Sequence, residues 1–237
     1  MLEVEESKRK AAILVEALPY VRRFRGSVFV VKYGGSFMDS PDPAVRTGVA
    51  RDLVFLHFVG IKVVVVHGGG KAVTRRLAEK GIEAEFLDGL RVTDEKTIEV
   101  VDEVLNGQVN EEVASFVSSN ECGVMRIPGK AALTCRKLAT ETDLGYVGEI
   151  TDVDANSIHD ALDQGLMPIL SSTASNPEGQ VHNVNADTAA AKVAVALKAR
   201  RLVYLSDVPG LLRDPNEPSS LLSSLPVDQV DPLNGAN

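Results

Sequence analysis

Residues 63–71 read Val-Val-Val-Val-His-Gly-Gly-Gly-Lys, four β-branched residues that run into His67, a glycine triplet and Lys71. A short apolar run bounded by glycine is the pattern of a buried strand. Where it stops at glycine, backbone N–H groups are left bare and another molecule can approach the main chain closely. A helix starting at Lys71 would aim its positive N-terminal end at the same spot. These features describe a place to hold phosphate. Taken in isolation, a tight strand-to-helix turn with no ligand would read the same way.

The pattern occurs twice. Residues 28–35, Val-Phe-Val-Val-Lys-Tyr-Gly-Gly, form another apolar run ending in glycines, with Lys32 two residues before them. Two strand ends, each with a glycine turn and a cation, suggest one shared anionic ligand at the edge of a sheet. In open α/β sheets ligands sit at the carboxyl ends of strands. The common nucleotide signatures are absent: Lys71 is followed by Ala72 rather than Ser or Thr, and no G-x-G-x-x-G opens a helix. A phosphate site here is of another kind.

The bulk properties narrow the function further. A chain of 237 residues can bury a full core as one domain or two packed lobes. Its net charge of −8 argues against a general nucleic-acid or anionic-membrane binder, since both surfaces repel acidic proteins. No apolar run approaches the ~20 residues of a membrane span. The acidic start Met-Leu-Glu-Val-Glu-Glu, with Glu16 interrupting the next apolar stretch, is not a secretory signal. Cys122 and Cys135, the only cysteines, make neither a disulfide framework nor a zinc site, and the four histidines show no metal spacing. A cytoplasmic location is the expectation, with no protein-held metal.

Hydrophobic spacing predicts a helix over residues 5–18, with a stripe at Ala11, Leu14, Val15 and Leu18, ended or kinked by Pro19. Further helices are expected over 43–59, stopped by Gly60, and over 71–80, stopped by Gly81. Another spans 94–117, with Thr93 as N-cap and Gly107 either weakening it or marking close packing. Residues 123–153 read as an antiparallel flap of short strands. A helix over 155–164, a buried strand from Met167 to Leu170 and a polar loop across 171–180 follow. An alanine-rich helix from Ala186 to Lys198 and a strand from Leu202 to Leu205 come next, and the chain turns loop-like from 213. The β-α-β-α order implies parallel strands joined by crossover helices, hence an α/β fold.

Two further clusters carry chemistry. Alternation along Asn183-Val-Asn-Ala-Asp187 puts Asn183, Asn185 and Asp187 on one side, just where a helix begins. Such residues can cap that helix, or the amides can bind a polar substrate while Asp187 orients cations. Arg91, between Leu90 and Val92 ahead of a helix, is a candidate bidentate clamp for a carboxylate.

Lys32-Tyr-Gly-Gly, His67-Gly-Gly-Gly, Asp88-Gly-Leu-Arg-Val-Thr-Asp94, Leu144-Gly-Tyr-Val-Gly-Glu149, Asn183-Val-Asn-Ala-Asp187 and Ser206-Asp-Val-Pro-Gly210 follow one another along the chain. In this set and order the sequence resembles the amino acid kinase family over residues 28–212. The arginine motif and N-x-N-A-D are similar to the branch that acts on N-acetyl-L-glutamate rather than to those for aspartate, carbamate or uridylate. The resemblance implies a three-layer α/β/α sandwich around a mainly parallel sheet. It also implies transfer of the ATP γ-phosphoryl group to the side-chain carboxylate of N-acetyl-L-glutamate, a step of arginine biosynthesis, with Mg²⁺ held mainly by ATP and water.

By the same resemblance, Lys32 and Asp187 are the catalytic pair, Asp187 positioning the lysine. Gly69, Gly70, Arg91, Asn183 and Asn185 hold the amino acid, with Arg91 on its α-carboxylate. Gly34 and Gly35 face the phosphates, and Asp207, Val208, Pro209, Gly210, Leu211 and Leu212 border the nucleotide. Residues 1–26 form an N-terminal helix, 27–180 the substrate lobe and 181–237 the start of the nucleotide lobe. A homo-oligomer, either a dimer or a hexamer of dimers linked through that helix, and arginine as inhibitor complete what the family implies. The chain departs from the family at 124–132, where the family has a turn richer in glycine and aspartate. Family members also continue past residue 237 to a second catalytic lysine. On that ground the expectation is a truncated chain with impaired turnover. The alternatives are a ligand-binding or regulatory derivative, and a kinase for another amino acid.

Overall fold

Lys32 and Val66 are cross-strand neighbours, and that pairing sets the architecture. The computed structural model describes residues 2–34, 42–206, 208, 210–214 and 216–230. The chain divides into two compact units, 1–205 and 206–237. In the first, β1 (Val28–Tyr33) and β2 (Lys62–His67) lie inside a five-stranded sheet. The other strands are β5 (Val124–Ile127), β8 (Met167–Ser171) and β11 (Arg201–Leu205). The order is β11-β1-β2-β8-β5 and every neighbouring pair is parallel.

Alternation along these strands splits the core into two layers. Phe29, Val31, Val63 and Val65 face one side with Leu53 and Val54 of α2 (Pro43–Phe58), Val73 and Leu77 of α3 (Gly70–Glu79), Ile98 and Val101 of α4 (Glu95–Asp102), and Val113 of α5 (Asn110–Ser118). Val30, Val64 and Val66 face the other side with Ile158 of α7 (Ala155–Asp163) and Ala189, Ala190 and Val193 of α8 (Ala186–Ala196). Both faces of a parallel sheet are thus covered, which its continuous apolar strands require. The three-layer α/β/α fold follows.

Several local expectations change. Helix α1 (Leu2–Phe24) runs through Pro19. Proline removes one backbone bond, and the carbonyl it frees, that of Val15, lies on an exposed turn where water can take over. The helix after β4 (Leu90–Arg91) is capped by Asp94, whose carboxylate accepts from Thr97 N, and Thr93 is buried beside it. Between α4 and α5 the backbone widens into a π-helical segment, Glu103–Val109. Gly107 lies in it with open space around its Cα, so close packing is not its role.

The expected flap is only partly antiparallel. Strand β5 joins the parallel sheet, and after a short turn of helix, α6 (Gly129–Ala132), strands β6 (Leu133–Lys137) and β7 (Gly148–Val153) form the antiparallel pair. With β9 (Thr173–Ser175) and β10 (Val181–Asn183) they make a second sheet, ordered β10-β9-β6-β7. Part of the polar stretch 171–180 is therefore strand. In the second unit, Leu212 and Leu221 form an antiparallel bridge, and the described residues hold short 3₁₀ turns at Pro218–Ser220 and Val227–Gln229.

Candidate functional site

Because β1 and β2 pair in register from Val28↔Lys62 to Tyr33↔His67, their glycine turns emerge side by side at the carboxyl edge of the sheet. Gly68 N–H donates to Tyr33 O at 3.2 Å and joins the two turns. Gly69 then becomes the N-cap of α3 and Gly70 its first residue. Amides at this position have no intrahelical acceptor, and the helix end adds partial positive charge.

A cavity of about 150 Å³ opens at this edge. Gly68, Gly69 and Gly70 form its floor, Arg91 and Phe86 one side, and Asn183, Asn185 and Ser172 another. Its apolar wall is Val73, Leu90, Val101, Leu105, Val147 and Val184. An engineered apolar cavity of ~150 Å³ holds benzene, so the space suits a small molecule and not a whole nucleotide. Gly69 is held to glycine by packing, since an added Cβ would stand 2.6 Å from Leu105 Cδ2.

Arg91 is 6 % exposed. Its Nη2 donates to Gly70 O and Thr74 Oγ1, both at 2.8 Å, and its guanidinium lies 4.6 Å from the centre of the Phe86 ring. Phe86 begins β3, which pairs with β4 in a tight hairpin, Phe86–Leu87 with Leu90–Arg91, turned through Asp88 and Gly89 at positive φ. Arg91 Nη1 is buried with no protein partner. Burial lowers its pKa from the ordinary arginine value, yet the group stays charged. A buried cation with an unused donor in a cavity wall calls for an anionic ligand.

The Asn183–Asp187 cluster divides its labour. Asn183, at the end of β10, donates from Nδ2 to Thr93 Oγ1 at 3.4 Å, and Thr93 donates to Arg91 O at 2.8 Å. Thr93 therefore couples the arginine motif to a residue 90 positions away. Gly145 makes this junction possible: its φ is +73°, and a Cβ there would meet Thr93 O at 2.2 Å. Asn185 caps α8, its Oδ1 accepting from Asp187 N and Thr188 N at 2.9 and 3.0 Å, while the residue also lines the cavity. Asp187 Oδ1 lies 3.0 Å from Lys32 Nζ. Tyr204 OH donates to Asp187 O at 3.3 Å.

Cavity and cation pair thus gather Lys32, Gly69, Gly70, Arg91, Asn183, Asn185 and Asp187 along one sheet edge. Gly34 follows Tyr33 and is buried there. Lys71 is exposed and does not line the cavity. Gly35, Asp207 and Pro209 lie outside the described residues. Val208, Gly210, Leu211 and Leu212 belong to the second unit, where Leu222 N–H donates to Leu211 O at 2.8 Å. Thr93 was read only as a helix cap, and Phe86 and the aliphatic wall went unnoticed in the sequence. Only Leu90 and Val92 flanking Arg91 signalled an apolar setting.

The chain as a whole is similar to known proteins. The family model described as the amino acid kinase family matches residues 27–234. An acetylglutamate kinase of Thermoanaerobacter sp. (strain X514) is 42 % identical over 223 residues, covering 93 % of this chain and 74 % of its own. One from Synechocystis sp. is 42 % identical over 233 residues, covering 98 % and 78 %. Among solved structures, N-acetylglutamate synthase from Neisseria gonorrhoeae, complexed with coenzyme A and L-arginine, superposes with a TM-score of 0.77 at 28 % identity. That match covers 96 % of this chain and 54 % of the synthase chain, so this chain spans about half of the synthase's length.

Proposed function

The chain belongs to the amino acid kinase family, and from that premise we propose that it transfers the γ-phosphoryl group of ATP to the side-chain carboxylate of N-acetyl-L-glutamate, in arginine biosynthesis. The relatives at 42 % identity named acetylglutamate kinase support the choice of substrate. The observation in this chain that carries it is Arg91, buried in the wall of a small cavity with one donor unused.

In this reading the α-carboxylate of the substrate takes Arg91 Nη1, and Asn183 contacts its polar groups. The side-chain carboxylate then points to the glycine turns. It is already ionised at neutral pH, so no general base is required. Its oxygen attacks the γ-phosphorus, the bond to the β-phosphate oxygen breaks, and ADP leaves. The barrier is the meeting of two anions while charge shifts on the transferring group. Lys32, oriented by Asp187, and the amides of Gly69 and Gly70 offset that repulsion. The aliphatic wall excludes water that would otherwise compete as acceptor.

Among the described residues no three His, Cys, Asp or Glu side chains gather into a metal cage. In this reading Mg²⁺ would enter as its ATP complex and neutralise phosphate charge. The stretch 181–237, with Val208, Gly210, Leu211 and Leu212, is assigned to the nucleotide, and 27–180 to the amino acid. Asn183 to Ala186 line the amino acid cavity too, so residues after 180 serve both ligands. A homo-oligomer through α1 belongs to the same proposal, supported by the exposed stripe at Leu14, Val15 and Leu18. Inhibition by arginine is supported by the family resemblance alone. A cytoplasmic location is supported by the free, buried Cys122 and Cys135, which suit a reducing compartment. No helix among the described residues is long and apolar enough to cross a membrane.

The test is a substrate panel. Acyl phosphate formed from ATP and N-acetyl-L-glutamate, glutamate, aspartate or carbamate is trapped with hydroxylamine, and binding of each acid is measured by calorimetry. Preferred turnover of N-acetyl-L-glutamate is the expected result. Preference for another acid would reassign the substrate. Tight binding of N-acetyl-L-glutamate without hydroxamate would favour a ligand-binding role.

A further inference from the structure

His67 is fully buried at the end of β2, and its ring makes two contacts. Nδ1 lies 2.8 Å from Gly68 O, which can only accept, so Nδ1 carries the proton. Burial lowers the pKa to about 4, so the ring is neutral near pH 7 and Nε2 is a bare acceptor. Asn110 Nδ2 donates to it at 3.0 Å and uses its second hydrogen on Ile169 O, also at 3.0 Å. Asn110 Oδ1 accepts from Arg126 Nε at 2.9 Å. All three contacts require the same orientation of the amide.

Arg126 reaches further. Its Nη2 donates to Asn106 O and Gly107 O at 3.2 and 3.3 Å, carbonyls of the π-helical segment, and Nη1 pairs with Glu111. That segment carries Leu105, the side chain against Gly69 in the cavity wall. One arginine on β5 therefore ties to both boundaries of the glycine turn. Through Asn110 and His67 it reaches the Gly68 carbonyl, and through the π segment it reaches the residue packed on Gly69. π-Helical insertions recur at functional sites, where they place a side chain that a regular helix would not.

We propose that Asn110 and Arg126 are positioning residues: they lock His67 in its Nδ1–H tautomer and so hold the Gly68 peptide in the orientation that presents the Gly69 and Gly70 amides to the transferring phosphoryl group. Neither residue touches the cavity. Gly68 is the lever, because its N–H is held by Tyr33 O and its carbonyl by His67. If the ring were to carry its proton on Nε2, the Nδ1 lone pair would face Gly68 O, and the peptide would have to rotate.

The kinetic part of the test rests on the kinase reading above; the spectroscopic part does not. In the wild-type chain, ¹⁵N NMR of the histidine rings at pH 7 should show His67 with the proton on Nδ1. An Nε2–H tautomer overturns the proposal without any variant. Asn110→Asp puts a carboxylate, which can only accept, opposite Nε2, so the neutral His67 ring must take a proton from solvent on Nε2 and release the Nδ1 proton to solvent. The His67 signal should change form, and the Gly69 and Gly70 amide resonances should move even without ligand. With turnover assayed, kcat should fall ~10–100-fold, below the ~10²–10³ for outright loss of one donor to a transition-state charge. KM for N-acetyl-L-glutamate should change by a smaller factor than kcat, since Arg91 and Asn183 are untouched. Arg126→Met should lower kcat, and Arg126→Lys, which keeps one donor, should restore part of it. Unmoved glycine amides in Asn110→Asp, or kcat in Arg126→Met within twofold of wild type, would overturn the assignment. Absence of turnover in the wild type with the Nδ1–H tautomer present would instead count against the kinase reading.

Discussion

Arg91 and Lys32 sit at the same sheet edge, yet the protein treats the two cations differently. Lys32 already has a carboxylate, that of Asp187 at 3.0 Å, and keeps contact with water. Arg91 is buried, braced by Gly70 O, Thr74 and the face of Phe86, and one of its donors has nothing to bind. A cation that holds its own counter-ion can move charge toward a phosphoryl group without a large desolvation cost in the ligand-free protein. A cation left short of a partner gains most when an anion arrives. On the kinase reading proposed above, the contrast gives ground-state binding to Arg91 and transition-state stabilisation to Lys32.

The strongest way to break that contrast is Arg91→Ala. Removing one member of a buried charge pair costs about 2–5 kcal/mol, so calorimetry should show N-acetyl-L-glutamate binding weakened by that amount. Unchanged affinity would mean that the arginine is structural. Lys32→Met should do the reverse. Losing one preorganised donor to a developing charge costs ~2.7–4 kcal/mol in kcat, roughly 10²–10³ in rate, and amino acid binding should stay within a few-fold of wild type. Equal losses in binding and kcat for both variants would erase the distinction.

Acid tests a third basic group, which must remain neutral for the contrast to hold. His67 titrates near 6.5 in the unfolded chain and at about 4 in the fold. Its contribution to stability is therefore fully present above pH 6.5 and is lost as the pH falls toward 4, because the unfolded state takes up a proton that the native ring refuses. The size is about 3 kcal/mol. Urea unfolding of the wild type and of His67→Asn at pH 7, 5.5 and 4.5 should show the gap between them narrowing. A constant gap would contradict a neutral buried ring. The smallest effect is expected for Phe86→Ala, which removes a cation–π contact worth about 0.5–1 kcal/mol from Arg91. Affinity for N-acetyl-L-glutamate should fall by only a few-fold, with kcat unchanged.

Much of the site was legible because its parts are local. Lys32 precedes a glycine turn by two residues and Arg91 sits between apolar neighbours ahead of a helix, patterns readable in a window of ten residues. The role of Thr93 was not. In sequence it reads as a helix cap, but Asp94 takes that place, and Thr93 turns inward to join Arg91 to Asn183. Choosing between two adjacent capping residues depends on what packs beneath them. Here that is Gly145, brought in from a distant loop against Thr93 O. Asn185 shows the same ambiguity resolved the other way, since it both caps α8 and lines the cavity.

The sequence by itself determined the repeating unit of this protein: apolar strand, glycine turn and amphipathic helix, with each helix stopped where Gly60, Gly81 and Gly165 adopt positive φ. Periods of 2 and 3.6 residues and the steric freedom of glycine act over a few residues and need no knowledge of the rest of the chain. Only the tertiary structure decided that β5 joins the parallel sheet, that the helix after Asp102 widens into a π segment, and that His67 meets Asn110, 43 residues away. Those outcomes depend on which donor reaches which acceptor once the chain has closed on itself. In the π segment the carbonyls of Asn106 and Gly107 accept from Arg126, on another strand. Local spacing carries no record of such partners, because the free energy that selects them appears only when distant segments are desolvated together.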